Sequence, residues 1–292
     1  CGGPAGRGLR MFWNLPDIKI APDILFYIGP LPVSNTLLAT WFSIVVVLAF
    51  GFATKRNLSL VPKGVANFFE WIFEQVLNLC EEVAGRERGR KFFPLVCTIF
   101  LFVLTSNYLE LVPFVESIGT VNQPNVHPFL GIFLIQKADT NAIIPWVRPA
   151  PTDLNMTIGL AIISVIATQI YGFRMLGPRL QLGRYFTLKD GPIGLFVGVL
   201  EAVLEVARVI SFSFRLFGNI FAGDVLLIVM AFLVPALGPV PFLLLEVLVG
   251  LVQAFVFAML TLVFMTLGTT AHGGEEHHEE ERHGEISSSA AH

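Results

Sequence analysis

The apolar region at residues 193 to 233 constrains this chain more than any other feature. A helix of that length measures about 60 Å, which is roughly twice the thickness of the hydrocarbon core of a bilayer. An upright helix would leave apolar residues in water, so we expect a helix that is strongly tilted or broken. Hydrophobic residues make up 54% of the chain, charged residues 14%, and the mean hydropathy is +0.71. This composition indicates an integral membrane protein.

Other apolar stretches predict the remaining membrane helices. Residues 62 to 85 differ, because glutamates interrupt apolar residues that recur at helical spacing, which predicts an amphipathic helix on the membrane surface. A Pro-rich loop without a clear element precedes residue 154. The predicted fold is an all-α integral membrane protein with five transmembrane helices plus one surface amphipathic helix. The last two transmembrane helices form a long, tilted hairpin. The five predicted spans are 37–54, 92–112, 154–176, 193–233 and 241–268.

The positions of lysine and arginine predict the orientation in the membrane. Basic residues are concentrated between the first two spans and after the third span, which places both segments in the cytoplasm. Residues 1–36 then form an extracytoplasmic segment, residues 37–270 the membrane domain, and residues 271–292 a cytoplasmic tail. The net charge of -3 is too small, and the basic residues too scattered, to indicate a nucleic-acid partner.

Polar residues within 193–233 follow one another at steps of three or four, so they share one face of a helix. Asp224 lies nine residues beyond Arg215 and is predicted on the opposite face. Placing a charge at the centre of a bilayer costs free energy, so charged residues in membrane helices normally face water, protein or a partner. The shared face carries Glu201, Glu205, Arg208, Ser211, Arg215 and Asn219.

These residue types predict proton chemistry around a fixed cation. Arginine stays protonated, so Arg215 cannot pass a proton on, whereas desolvated carboxylates are suitable relay groups. Glu201 and Glu205 form an inner acidic pair, and Asp224 and Glu246 form an outer one. The alternative is that Arg215 is an ion-paired residue of helix packing, but the other ionisable residues on the same helix make that reading less attractive.

The motifs RLFGN and AGD at 215 to 224, with LVQAFVFAMLTLVF at 251 to 264, resemble the a subunit of F-type ATP synthases. SNYLELVP at 106 to 113 and TDLNMTIGLA at 152 to 161 extend the resemblance to earlier helices, so that it covers about residues 35 to 270. The combination of RLFGN with a downstream QAF is highly specific, while the earlier motifs would be weak alone.

The resemblance assigns roles to individual residues. The family's essential arginine falls on Arg215, its neighbouring asparagine on Asn219, its acidic access-channel residue on Asp224 and its late-helix glutamine on Gln253. Its inner-channel glutamate falls on Glu201. Some members have histidine where this chain has Glu246, which leaves open how the outer pair shares its proton. Asn107, Glu110, Asp153 and Asn155 are explained equally well by a pore lining or by helix packing and capping.

The resemblance also implies a rotary mechanism and partners. A proton entering from outside through Asp224 and Glu246 would neutralise a carboxylate on a ring of c subunits and leave, after almost a full revolution, near Glu201. Arg215 would block a direct passage. The implied partners are the c ring, the b-subunit peripheral stalk, the rest of the F1Fo complex and membrane lipid. The charge bias and Cys1 fit a bacterial cell membrane, with an organelle membrane as the alternative. No nucleotide, cofactor or metal is expected on this chain.

Two other classes of protein remain as alternatives. A self-contained ion-coupled transporter would use the same charges at a substrate site, but such proteins usually show an internal repeat, and we find none. A structural scaffold has no use for paired intramembrane acids.

The termini and cysteines carry further expectations. Five of the six histidines lie from residue 272 on, where an acidic, Gly-interrupted sequence favours a disordered tail over a metal site. Cys1 fits the lipidated start of a mature bacterial lipoprotein, although a truncated start explains it equally well. Cys80 and Cys97 are predicted to be small buried apolar residues rather than redox groups.

Overall fold

A computed structural model of the chain describes residues 22–56, 65–112, 119–121, 143–146, 148–177, 181, 191–234 and 237–270. Cys1 and the histidine-rich tail lie outside the described residues. The predictions of lipidation and of a disordered tail therefore stay predictions.

Six α-helices account for most of the described chain, and five of them are long and apolar enough to cross a membrane. The amphipathic helix α2 is the sixth. The all-α membrane fold is therefore confirmed, and the predicted bounds agree with the observed helices to within two residues at most ends. The helices are α1 (Asn35–Arg56), α2 (Val65–Ala84), α3 (Arg86–Glu110), α4 (Leu154–Leu176), α5 (Gly191–Leu233) and α6 (Pro239–Thr269).

The start of α3 was predicted wrongly. The sequence placed it at residue 92, but the helix already begins at Arg86, directly after Gly85, which has a φ of 77°. Charged residues at the start of α3 form two ion pairs. Arg90 pairs with Glu81 of α2 at 2.7 Å, and Lys91 pairs with Glu87 of α3 at 2.9 Å. Hydropathy alone could not reveal a helical turn made of charged residues.

Helices α2 and α3 form a tight antiparallel pair at this turn. A Cβ atom on Gly89 would lie 2.4 Å from the carbonyl oxygen of Cys80, so the two backbones touch there. Cys80 and Cys97 are buried and free, as predicted for small apolar residues. Burial raises the pKa of the Cys80 thiol to about 11.

Two short antiparallel strand pairs were not predicted. Strand β1 (Ile24–Ile28) pairs with β2 (Leu31–Ser34) just before α1, and β3 (Gly119–Val121) pairs with β4 (Ile143–Pro145) inside the segment predicted to lack any element. Each strand consists of three to five residues, too few for a period-two pattern to stand out from the surrounding apolar sequence.

A 3₁₀ turn at Ala150–Thr152 leads into α4, whose first turn is capped by Asp153. One carboxylate oxygen of Asp153 accepts from the backbone N–H of Asn155 at 2.9 Å, and the other accepts from the hydroxyl of Thr36 at 3.1 Å. Asp153 thus fixes the start of α4 and joins it to α1. Of the two explanations predicted for Asp153, capping is the one the contacts support.

The sequence predicted that α5 is either strongly tilted or broken. The helix is continuous over 43 residues, or about 65 Å, and is therefore not broken. It turns into α6 around Gly238, whose backbone N–H donates to the carbonyl of Val234 at 3.0 Å. Pro239 occupies the first turn of α6, where a missing N–H is tolerated.

The hydrophobic core lies between α2, α3, α4 and α6, with one stripe of α5. Helix α5 contributes Phe212 and Leu216 to it. Only 17% of the Phe196–Leu233 window of α5 is buried, compared with 50% of the corresponding window of α3. Most of the apolar surface of α5 is therefore left uncovered by the residues that the structure describes.

Candidate functional site

Arg215 lies near the middle of α5, beside the buried side chain of Leu216, and its own side chain is exposed. Ser211 and Asn219, the two uncharged polar residues predicted on the same face, are exposed as well. The uncovered face of α5 therefore carries an arginine flanked by two polar side chains, as its spacing predicted.

Arg215 differs from the other ionisable residues of α5 and α6. Each of the others makes at least one polar or electrostatic interaction, whereas Arg215 has no hydrogen bond or ion pair with the part of the chain that the structure describes. The alternative of Arg215 as an ion-paired packing residue thus finds no partner among these residues. The other five are Glu201, Glu205, Arg208, Asp224 and Glu246.

Asn219 and Gln253 are brought together across the hairpin. The side-chain amide of Asn219 donates to the side-chain oxygen of Gln253 at 2.7 Å. Gln253 is 3% exposed, and its Nε2 has no partner among the described residues. The amide nitrogen of Gln253 is thus buried inside the hairpin without a hydrogen-bond acceptor among the described residues. It lies beside Asn219, which is one turn of α5 beyond Arg215.

Asp224 is buried and is paired with a residue that the sequence analysis did not select. Arg148, which precedes the 3₁₀ turn before α4, places Nη2 at 3.6 Å from Oδ2 of Asp224. The side chains are 12% and 11% exposed, respectively. Arg148 could have been found from its setting in the sequence: in WVRPAP a single arginine stands between a tryptophan and two prolines, close to a predicted span.

Glu246 lies against the backbone of α5 next to Asp224. Its carboxylate fills the space beside Gly223, where a Cβ atom would come within 2.9 Å of the carboxylate carbon. Glu246 is 7% exposed. The predicted outer acidic pair therefore lies at one place on the hairpin, although Asp224 is held by an arginine.

A second polar cluster surrounds Glu205 in the amino-terminal half of α5. Glu205 pairs with Arg208, and Gln169 of α4 donates to the same carboxylate. The guanidinium carbon of Arg208 lies 3.8 Å from the centre of the Phe264 ring. Glu201 is one turn away and partly exposed.

Gln169 and Gln181 were missed by the sequence analysis. Gln181 donates to Gln169 at 3.0 Å, and its own Oε1 is buried without a partner in the described residues. The side chain of Gln181 fills the space beside Gly172 of α4. A glutamine in the middle of an apolar helix, as in IATQIYGF, is the signal that could have drawn attention to Gln169.

Asn107 joins α3 to α6. Its amide donates to the carbonyl of Gly250 in α6 at 3.0 Å, and it is 2% exposed. The side chain of Glu110 lies outside the described residues, and that of Asn155 is exposed. Within the described residues no group of three or more histidine, cysteine or acidic side chains could hold a metal ion.

The geometry separates two sets of titratable groups along α5. At about 1.5 Å per residue, Asp224 lies about 14 Å from Arg215 along the helix axis, and Glu205 lies about 15 Å away in the other direction. Carboxylates can take up and release protons, whereas the guanidinium stays charged. The arrangement can therefore carry protons on either side of Arg215 but not on the arginine itself.

Comparison with known proteins gives a consistent result. A family model described as ATP synthase A chain matches residues 37–266. Three similar proteins are bacterial, and the chain covers most of each. ATP synthase subunit a of Moorella thermoacetica is 31% identical over 84% of this chain and 95% of its own length. That of Gloeobacter violaceus is 30% identical over 89% and 94%, and subunit a 1 of Pelobacter propionicus is 33% identical over 77% and 83%.

The resemblance suggested by RLFGN and QAF is therefore confirmed over the whole membrane domain, and the alternative of a self-contained transporter gains no support from it. The chain belongs to the ATP synthase A chain family, whose members are multi-pass membrane subunits of the Fo sector of ATP synthase rather than its catalytic subunits.

Proposed function

We propose that this chain is the stator subunit that couples proton flow to rotation of a c-subunit ring, through two half-channels separated by Arg215. The observation that carries the proposal is the state of Arg215: exposed on the uncovered face of α5 and unpaired within the described residues. A cation in a membrane helix needs a counter-charge, and an uncovered one suits a carboxylate supplied by another subunit.

The chemistry of arginine suits this role. The guanidinium is protonated under all protein conditions, so it attracts a deprotonated ring carboxylate and does not accept its proton. A proton arriving on that carboxylate removes the attraction, and the neutral group can then move into lipid. Arg215 thereby favours rotation and opposes a direct leak between the two half-channels.

The outer half-channel is assigned to Asp224 and Glu246. Both are buried in the half of the hairpin nearer the turn, and Glu246 lies against Gly223, the residue before Asp224. Buried carboxylates in contact with protein polar groups are suitable for passing protons. Asn219 and Gln253 lie between this acidic pair and Arg215. Their side-chain amides are assigned to the end of the outer half-channel that is nearest to Arg215.

The inner half-channel is assigned to Glu201 and Glu205, with Arg208 and Ser211 beside them. Arg208 pairs with the carboxylate of Glu205, one turn earlier in α5. Ser211 is exposed one turn before Arg215. With the basic segments in the cytoplasm, this half opens to the cytoplasm, the amino terminus is outside and the carboxyl terminus is inside.

The c ring is assigned to the uncovered face of α5. Apolar side chains remain exposed on both sides of Arg215 along the helix, among them Leu204 before it and Leu226 after it, and a large exposed apolar surface marks a contact with lipid or another subunit. The peripheral stalk and the other subunits of the complex complete the assembly. Each charge that crosses 100 mV supplies about 2.3 kcal/mol, so several protons are needed for each ATP.

The test is proton-driven ATP synthesis by the whole complex reconstituted in vesicles. Replacing Arg215 with alanine removes the fixed charge, so synthesis is expected to fall to background while the subunit remains in the complex. Running the assay across pH and sodium concentration identifies the ion that drives it.

Arg174→Ala provides the matched control. Arg174 is an exposed arginine in the last turn of α4, away from the polar residues of α5, and its replacement is expected to leave synthesis unchanged. Normal synthesis by an assembled Arg215→Ala complex would contradict the proposed function.

A further inference from the structure

The segment that precedes α4 is buried in the helix bundle, although it was predicted as a loop without an element. Pro149, Ala150, Pro151 and Thr152 are all buried. The turn they form contacts α1, α3, α4 and α5. This turn therefore joins four membrane helices.

Hydrogen bonds fix the shape of this turn. The hydroxyl and the backbone N–H of Thr152 donate to the carbonyl of Pro149 at 2.7 Å and 3.2 Å, and the N–H of Asp153 donates to the carbonyl of Ala150 at 3.2 Å. Asp153 in turn is tied to α1 through Thr36. Two prolines further restrict the backbone. The residue immediately before the turn, Arg148, is consequently held in a defined position.

Arg148 contacts α5 on the face away from Arg215. Its guanidinium lies against the carboxylate of Asp224, with little of either side chain exposed. A buried charge left without its partner is strongly unfavourable, so each of these two groups determines where the other can lie. Arginine is well suited to this because its planar guanidinium offers several donors in a fixed geometry.

We propose that Arg148 is a positioning residue for proton entry: the buried turn Pro149–Thr152 holds its guanidinium so that it fixes the carboxylate of Asp224 in the outer half-channel. This inference rests on the proposed function of Asp224. The cation acts through Asp224 and does not itself carry a proton. The structure thus adds to the site a residue from outside the α5–α6 hairpin.

The experiment measures ATP-driven proton pumping per assembled complex in reconstituted vesicles. Arg148→Gln is expected to lower pumping at least about tenfold, because Asp224 loses the charge that holds it, whereas Arg148→Lys keeps the charge and stays within about threefold of the native rate. Arg174→Gln, the same substitution at an exposed arginine, is the matched control and is expected to be silent.

A second variant separates this role from a contribution to folding. Arg148→Cys is assembled first, in a chain whose native cysteines are replaced by alanine, and is then treated with aminoethyl methanethiosulfonate or with the neutral methyl reagent. Restoration of pumping by the cationic reagent alone supports the proposal, since the protein is already folded when the charge returns.

The remaining outcomes overturn it. Pumping within about twofold of native in Arg148→Gln, rescue by both reagents or by neither, or failure of both variants to assemble would each remove the positioning role. Arg215→Ala is measured in the same series. If that variant pumps normally, the proposed function itself fails, whereas an inactive Arg215→Ala beside a normal Arg148→Gln contradicts only the role of Arg148.

Discussion

Buried polar side chains in this bundle are mostly tied to a backbone carbonyl or to each other, and this separates packing residues from the candidate site. Asn107 is bound to α6, Ser164 to Thr261, and Ser213 to a carbonyl of its own helix, Val209. In a membrane such bonds join helices because water is absent. Arg215, by contrast, is exposed within a membrane helix and has no such bond to the described residues, which favours a partner from another subunit.

Asn107→Ala is expected to lower the stability of the complex with little effect on proton transport. The change removes a buried hydrogen bond to Gly250 and leaves a small cavity between α3 and α6, which should cost about 1–2 kcal/mol. The measurement is the midpoint of thermal dissociation of the detergent-solubilised complex, followed by proton pumping per remaining complex.

The matched control is Asn155→Ala, because the side chain of Asn155 is exposed and only its backbone N–H is used in capping. This variant should stay within about 0.5 kcal/mol of the native stability. A lower pumping rate at unchanged stability in Asn107→Ala would favour the pore-lining explanation instead.

The sequence could predict the site where spacing along one helix determines it. Steps of three and four residues put Ser211, Arg215 and Asn219 on one face, and the structure finds all three exposed. The spacing also placed Asp224 on the other side. Arg148 could not be predicted in this way, because its contact with Asp224 depends on how an irregular segment folds back on α5.

At the scale of elements, hydropathy predicts helices well where both ends are apolar and poorly where they are charged. Residues 154–176 were predicted with the observed bounds, since a proline-rich turn and Gly177 delimit them. The start of α3 was wrong by six residues because five of the six residues from Arg86 to Lys91 are charged, and ion pairs within α3 and with α2 stabilise them. The start of α3 can therefore be located from its ion pairs with α2 and within α3, but not from hydropathy.

Gly89→Ala is expected to destabilise the α2–α3 pair. An added Cβ would meet backbone atoms of Cys80 and Glu81 at 2.4 to 2.8 Å, and a backbone cannot move aside as a side-chain end can. Overpacking of this kind typically costs about 1–3 kcal/mol, which outweighs the gain in helix propensity of about 1 kcal/mol. The measurement is again the thermal midpoint of the purified complex.

Gly51→Ala is the control for that change. Gly51 lies in α1 with nothing within 4 Å of an added Cβ, so only the gain in helix propensity should remain. Equal stability of the two alanine variants would show that α2 and α3 do not approach each other as closely as described.

At the scale of the whole molecule, the described residues include five long apolar helices that form a bundle, and α5 is the least covered of the five. The polar residues of the hairpin fall into two clusters, one around Asp224 and one around Glu205, with Arg215 between them. The account of function depends on these clusters belonging to separate paths. It also depends on the cluster at Asp224 opening to the outside and the one at Glu205 to the cytoplasm.

The most direct test of that claim is access from each side of the membrane. Single cysteines replace Asp224 and Glu201 in a chain whose native cysteines are replaced by alanine, and a membrane-impermeant thiol reagent is applied to right-side-out and to inverted vesicles containing the assembled complex. The account predicts that the cysteine at 224 reacts only from the outside and the one at 201 only from the cytoplasmic side. Reaction of either cysteine from both sides would reveal a continuous path past Arg215 and contradict the account.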